Sequence, residues 1–395
     1  MSPVSRGRKK KPTKKKRSTP PRPLRYETVP LPPEPEPEPP RGKWFATGVK
    51  NVLDGADVLL EASTPREIEQ ATAKLLGAEM HRAMHGERDG LYFSEWFKDA
   101  AAAAVATDQE PTARLLYGMT MLAPSHLKHY AETALSHVEP HLPDWLRDLE
   151  QIEAIGDAWE MHDLYGSRIA IIASYQYPGE DLPVVFLFDL EAGTTPVTLI
   201  EPGLFDHVDQ AAAAWRAAVG DTATTAEPVL VDSPDSLQPL VQLAIGEDFV
   251  FGDETQAAMD NWFRVTRRLW ELDEAMQRRG EPFPDTLSLY HDFDIEPMVT
   301  GFTDWYRDRH GTEPDVPSVE ALAADWMEGV VPEVWHSVSP PRIEAQLAMF
   351  ADDWLPDDPL TGPAKAVFPE WVRWNGEQAG LPEHLVAQAV ANATP

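Results

Sequence analysis

Between Ala158 and Ala218, apolar and polar positions alternate with a period of two, break at turn residues, and then change to a helical period. Over residues 168–177, Ile169, Ile171, Ala173, Tyr175 and Tyr177 fall on one side of a strand, because successive side chains point to opposite faces. Val184, Phe186, Phe188 and Leu190 repeat the pattern after Pro178-Gly179-Glu180-Asp181. In that turn the proline has a fixed φ and the glycine accepts a positive one. The two runs therefore predict a hairpin. A second turn is expected around Gly193, a third strand over 197–200 and another over 158–163. Asp206 is placed to cap the following helix, with Asp209 in its first turn. The predicted unit is an antiparallel meander closed by a helix.

On either side the period is helical. Thr64-Pro65-Arg66-Glu67 has a capping threonine, a proline at the first helical position and a glutamate at the third. Ile68, Ala71, Leu75, Leu76, Met80 and Ala83 follow at helical spacing. Ser94 is expected to cap a helix through Trp96, Phe97 and an alanine run, and 108–122 and 125–138 continue a helical array. After the meander a long helix is predicted over 254–279, and others near 318–327, 341–353, 367–379 and 383–393. Trp305, Trp326, Trp335, Trp354, Trp371 and Trp374 are expected to form the core of this last region. The fold class is α+β: a helical N-terminal region, a central antiparallel β-meander flanked by helices, and a helical C-terminal region. The expected boundaries are a disordered tail over 1–42, helices over 43–145, the meander with its helix over 146–250, and helices over 251–395.

Charge changes this picture at one end. The chain has 395 residues and a net charge of −31, yet residues 1–25 carry 11 of the 34 Lys and Arg and no acid. The tail is thus +11 and the remainder −42. Such a segment has too little apolar surface to offset its own ordering entropy. Arg6, Arg8, Lys9, Lys10, Lys11, Lys14, Lys15, Lys16 and Arg17 are the candidate contacts to a phosphate backbone. Ten prolines over 20–40 form an extended spacer behind them. The absence of Cys excludes a disulfide framework, cysteine zinc sites and a cysteine nucleophile. No apolar run is long enough for a membrane span and none follows the basic residues as a secretory signal would require, so a cytoplasmic protein is expected.

The stretch DVLLEASTPREIEQATAKLLG, the meander LYGSRIAIIASYQYPGEDLPVVFLFDLEAG and the acidic FADDWLPDDP with the helices after it resemble, in their order, a group of uncharacterised actinobacterial proteins. Some members carry an appended SEC-C-type zinc motif. That motif is absent here, and Asp189-Leu190-Glu191-Ala192 stands where the group's hairpin has Asp-His-Asn. The resemblance implies a layout and no reaction.

Chemistry-bearing residues are few. His162, Asp163, Asp189 and His207 lie at the ends of predicted strands and at a helix start, where a metal or acid–base site would need them to converge. Asp206 and Asp209 already have a capping role. Asp292, Asp294 and Glu296, after His291, share one side if extended and offer a cation-binding edge, or a polar lead into a helix. Arg264, Arg267, Arg268, Arg278 and Arg279 are the basic exception in the acidic body and are expected to pair along their helix with acids such as Asp260, Glu271, Asp273 and Glu274. Phosphate loops, nucleophile elbows, HExxH and dinucleotide fingerprints are missing. No cofactor is indicated. The expectation is a non-catalytic interaction protein whose acidic body binds a protein partner and whose basic tail engages nucleic acid or another polyanion. The alternatives are a metal-dependent hydrolase at the meander ends and a small-molecule sensor.

Overall fold

Thr64 and Glu67 begin a helix as their spacing predicts. In the computed structural model, which describes residues 43–85, 93–147, 152–243, 255–284 and 293–394, the Glu67 amide donates to Thr64 Oγ1 at 3.2 Å. The Glu67 carboxylate in turn accepts from the amides of Thr64 and Ser63 at 3.2 and 2.7 Å. This reciprocal cap satisfies N–H groups that have no partner inside the helix. The helix is α2 (Pro65–His85) and follows α1 (Lys43–Gly55). Next come α3 (Phe93–Thr107), α4 (Glu110–Leu122), α5 (Ser125–Val138) and the short α6 (Asp144–Arg147). Ser94 lies inside α3 rather than capping it. Its hydroxyl meets His126 Nε2 at 3.0 Å and ties α3 to α5.

The centre is a six-stranded antiparallel sheet and the class is α+β, with helices on both sides in sequence. The strands are β1 (Glu153–His162), β2 (Arg168–Gln176), β3 (Val184–Glu191), β4 (Thr198–Leu199), β5 (Gly203–Phe205) and β6 (Val229–Leu230). They run in the order β4-β3-β2-β1-β6, with β5 also on β3. β1 begins before the alternation becomes visible, and its register shifts between Ala154 and Ala158. Gly156 sits there with φ of +89°, and a Cβ on it would lie 2.4 Å from the Arg279 guanidinium carbon. That guanidinium donates to the carbonyls of Gly156 and Ile155 at 2.7 and 2.6 Å. Burial still alternates along this half of β1, but exposed Ile155 and buried Gly156 reverse the usual residue types, so the sequence carries no clean signal there.

Helix α7 (Val208–Val219) covers one face of the sheet. His207, not Asp206, is its N-cap residue, and Asp206 instead pairs with Arg66 at 2.7 Å. The chain continues through α8 (Gln238–Leu243) and α9 (Gln256–Arg279). The C-terminal helices are α10 (Glu296–His310), α11 (Val316–Met327), α12 (Pro340–Asp352), α13 (Thr361–Gln378) and α14 (Glu383–Asn392). Helix α13 starts earlier than its apolar pattern indicates and carries Pro369 in its interior.

The register decides what each sheet face covers. Ile169, Ile171, Ala173, Tyr175 and Tyr177, with Val184, Phe186, Phe188 and Leu190, join one apolar core with α2, α4 and α9. Ala170, Ile172, Val185 and Leu187 pack under Trp215, Ala211 and Ala212 of α7. The C-terminal helices share a further cluster around Phe302, Trp326, Trp371 and Trp374, which Tyr165 of the β1–β2 turn also enters. Trp305 is only partly buried, at its edge, and Trp335 packs against both this cluster and the first. Burying a large side chain such as Trp371 contributes about 2–3 kcal/mol. Among the described residues no helix is long and apolar enough to cross a membrane.

The approach of α2 to α9 depends on Gly77. A Cβ there would lie 2.5 Å from the Met259 carbonyl oxygen and 2.7 Å from the Asp260 Cα, both backbone atoms that cannot rotate away. Gly77→Ala is therefore expected to destabilise by about 1–3 kcal/mol despite alanine's better helix propensity. Thermal unfolding of the variant checks this, and an unchanged or raised Tm would refute it.

Candidate functional site

The densest group of ionisable side chains lies where α2, β2 and α9 meet. Glu69 of α2 is fully buried, as is Arg268 of α9. Arg268 Nη2 donates to Glu69 Oε1 at 2.6 Å, and Arg264 Nε reaches the same oxygen at 3.2 Å. The Tyr177 hydroxyl donates to Glu69 Oε2. Tyr175 donates to the Arg268 carbonyl at 2.8 Å, and the Arg268 guanidinium lies over the rings of Tyr175 and Tyr177 at 5.3 and 5.4 Å. One turn further along α9, Glu271 accepts from Arg268 and, at 2.7 Å, from Arg267 Nε.

Burial alone would push the Glu69 carboxyl up, but the guanidiniums of Arg268 and Arg264 and the Tyr177 hydroxyl outweigh it and hold it below the usual range. Glu271 goes the other way: burial prevails over Arg268 and Arg267, and its carboxyl is raised. Burial likewise pushes the Tyr177 phenol up. The expected pairing of these arginines along their own helix is present for Arg267 and Arg268 with Glu271. Both arginines are interior groups rather than a solvated face, and the partner of Arg264 comes from α2.

The second group lies at one end of the sheet and contains three of the residues expected from sequence. Asp189 is fully buried and accepts two bonds from Arg168, at 2.6 and 2.8 Å, one from Trp215 Nε1 at 3.0 Å and one from the Glu201 amide at 3.2 Å. Its oxygens are thus occupied by donors that fasten α7 to β2 and β3. His162 and Asp163 are neighbours at the end of β1. In the pairing, His162 stands opposite Ile169 and Ile169 opposite Leu190, whereas Asp189 stands opposite Ala170. Alternation therefore places His162 and Asp189 on opposite faces of the sheet. Asp163 accepts the Arg168 amide at 3.3 Å and closes the β1–β2 turn.

Burial raises the Asp163 carboxyl. Burial works against a charge on His162, but Glu160, 3.6 Å away, and Asp163 overcome it and leave the imidazole raised. His207 is exposed on the other side of α7's first residue and does not join these groups. Among the described residues no three His, Asp or Glu side chains converge to hold a metal ion.

Asp294 accepts the Glu296 amide at 3.0 Å, so this acidic stretch leads into α10. His291 and Asp292 lie outside the described residues, as do Arg6, Arg8, Lys9, Lys10, Lys11, Lys14, Lys15, Lys16 and Arg17.

Glu69 and Arg342 are among the interior charges that the sequence pattern does not reveal. Glu69 is spaced with Thr72, Ala73 and Leu76 on the buried stripe of α2, so an acid on an apolar stripe was the available signal. Arg342 begins α12 beneath two prolines. It is buried, donates to the carbonyls of Val334 and, at 2.7 Å, Trp326, and lies 4.2 Å over the Trp326 ring. Burial lowers its guanidinium to about 9, against the opposing pull of Glu191. Glu191 is itself buried and raised above its ordinary value of 4.5, chiefly by desolvation, although the Gly193 amide donates to it at 3.0 Å.

A raised carboxyl means that the folded protein holds the proton more tightly than the unfolded chain. The stability this contributes is complete below the ordinary value and is lost as pH rises through the folded one. Glu191→Gln keeps the acceptor for Gly193 and removes the ionisation. The Tm of the variant relative to the parent is expected to be higher at about pH 7 than at about pH 4.5. A difference that stays constant between the two, or that shrinks, would contradict the assignment. Compared with protein-family models, curated proteins and solved structures, the chain has no match.

Proposed function

We propose that this is a non-catalytic interaction protein of the cytoplasm, whose acidic body binds a protein partner and whose basic tail engages nucleic acid or another polyanion. The observation that carries the reading is the segregation of charge, +11 over residues 1–25 and −42 over the rest. The interior does little to neutralise or hide the latter. Among the described residues, the buried charges are Arg114, Arg264, Arg267, Arg268 and Arg342 on one side and Glu69, Glu79, Asp163, Asp189, Glu191 and Glu271 on the other. The two sets nearly balance, so the body's negative charge resides at its surface, where it repels a phosphate backbone and attracts a basic partner. The proline-rich segment then separates the two binding functions, and tethering raises the effective concentration of one ligand near the other.

Deleting residues 1–25 is expected to abolish binding to a labelled DNA or RNA duplex while leaving the thermal transition of the body in place. Binding by the full-length chain should weaken by at least about a hundredfold between roughly 50 and 200 mM salt, because several phosphates are neutralised at once. Equal, salt-sensitive binding after the deletion would sink the proposal.

A further inference from the structure

A cavity of about 270 Å³ lies between α4, α5 and α9, with Pro178 of the β2–β3 turn also in its wall. Met121, Leu135, Leu142, Leu146 and Ile152 supply apolar lining. Tyr117, Arg267 and Glu271 are among its polar lining, with Arg147, Thr120 and Ser136. Two of these, Tyr117 and Arg267, have unused hydrogen-bonding capacity although both are more than nine-tenths buried, Tyr117 at 8% and Arg267 at 7% exposure. Arg267 gives its Nε to Glu271, and among the described residues its two terminal nitrogens have no hydrogen-bond partner. The Tyr117 hydroxyl likewise has none, and burial pushes its phenol up to about 12, so it stays a donor.

Open donors rather than net charge favour an anionic group here, since Glu132, Glu139 and Glu271 line the cavity with Arg147 and Arg267. Arg264, Arg267 and Arg268 form ion pairs with Glu69 and Glu271, and among the described residues Arg264 Nη2 and Arg268 Nε have no hydrogen-bond partner. Buried guanidinium donors without partners are unfavourable unless an acceptor or solvent satisfies them. A carboxylate presents two acceptor oxygens to the fork of a guanidinium, and a third donor such as a phenol completes its shell. Glu132 and Glu139 also line the cavity, toward α5 and the segment after it. Their charge opposes a second negative group on the ligand. At the ~30 Å³ that each water occupies in the liquid, the volume holds a molecule of on the order of ten non-hydrogen atoms.

We infer that this cavity is a binding site for a small monocarboxylate with an apolar or aromatic body, its carboxylate held by Arg267 and Tyr117. The inference concerns the body alone and stands or falls independently of what the basic tail does. Phenylacetate and its uncharged isostere 2-phenylacetamide are the probes, applied to the full-length protein by calorimetry and thermal shift. Phenylacetate is expected to bind and to raise Tm by about 2 °C or more at saturation, and the amide is not. Tyr117→Phe removes one donor to a charged group and is expected to weaken binding about tenfold. Leu135→Trp fills part of the cavity and is expected to abolish binding while the ligand-free protein still unfolds cooperatively. Phenylalanine, which adds an ammonium, reports whether Glu132 and Glu139 act on the ligand: binding at least as tight as phenylacetate accords with their position, and the weaker binding of a dicarboxylate such as phenylsuccinate is required. No binding of phenylacetate, equal binding of the amide, or affinity unchanged in both variants would overturn the inference.

Discussion

A carboxylate with no access to water constrains this protein more than any other group. Glu69 must be ionised, hydrogen-bonded and surrounded by positive charge, or its burial would cost several kcal/mol. The three elements that satisfy it are those that meet at the centre of the fold: α2 carries the acid, α9 brings Arg264 and Arg268, and the end of β2 brings Tyr177. Gly77 lets α2 and α9 come close enough for these bonds to form. The Tyr175 hydroxyl on the Arg268 carbonyl then fixes the sheet to the backbone of α9. Packing alone would allow many similar arrangements of helices over a sheet, whereas a buried ion pair with short bonds on three elements admits very few.

The same logic recurs on the other side of the sheet and in the C-terminal helices. Asp189 takes four donors from Arg168, Trp215 and Glu201 and so binds α7 to the strands beneath it. Among the described residues, Arg342 has carbonyl oxygens and an aromatic face in place of a carboxylate within ion-pair distance. It links the chain before α12 to the end of α11, and Glu191 at the end of β3 is the acid that acts on it. Acids and arginines that read as candidate chemistry are thus internal ties, and an acid already holding several donors is a poor proton acceptor or metal ligand. This is why the reading of function rests on surface charge and on a cavity rather than on a catalytic array.

Much of the architecture could be read from residue order. The β2–β3 hairpin was visible because both strands alternate without interruption across a turn of proline and glycine. Helix α2 was visible because its cap is local. What escaped has a common cause. The first half of β1 is hidden because Ile155 is exposed and Gly156 buried where Arg279 is bound, and the true cap of α7 by the capture of Asp206 by Arg66; both partners lie far away in sequence. Glu69 pairs with residues almost two hundred positions away, a distance at which periodicity says nothing about partners. The convergence expected of His162 and Asp189 failed on register, since His162 is in line with Ile169 and Leu190 across the sheet and Asp189, one residue away from Leu190, looks to the opposite face. Arg267 stood out in the sequence only as one of the α9 arginines and Tyr117 not at all, and their meeting at a cavity is a property of the fold.

The central structural claim is that Glu69 is ionised and held by the arginines of α9, so that the N-terminal helices, the sheet and α9 cohere through one interaction. A double-mutant cycle with Glu69→Gln and Arg268→Met, followed by chemical denaturation at neutral pH, tests it most directly. The account predicts that each single change is strongly destabilising and that the double variant loses less than their sum by at least about 1 kcal/mol. Effects that add within about 0.5 kcal/mol would show that the two groups do not depend on one another and would contradict it.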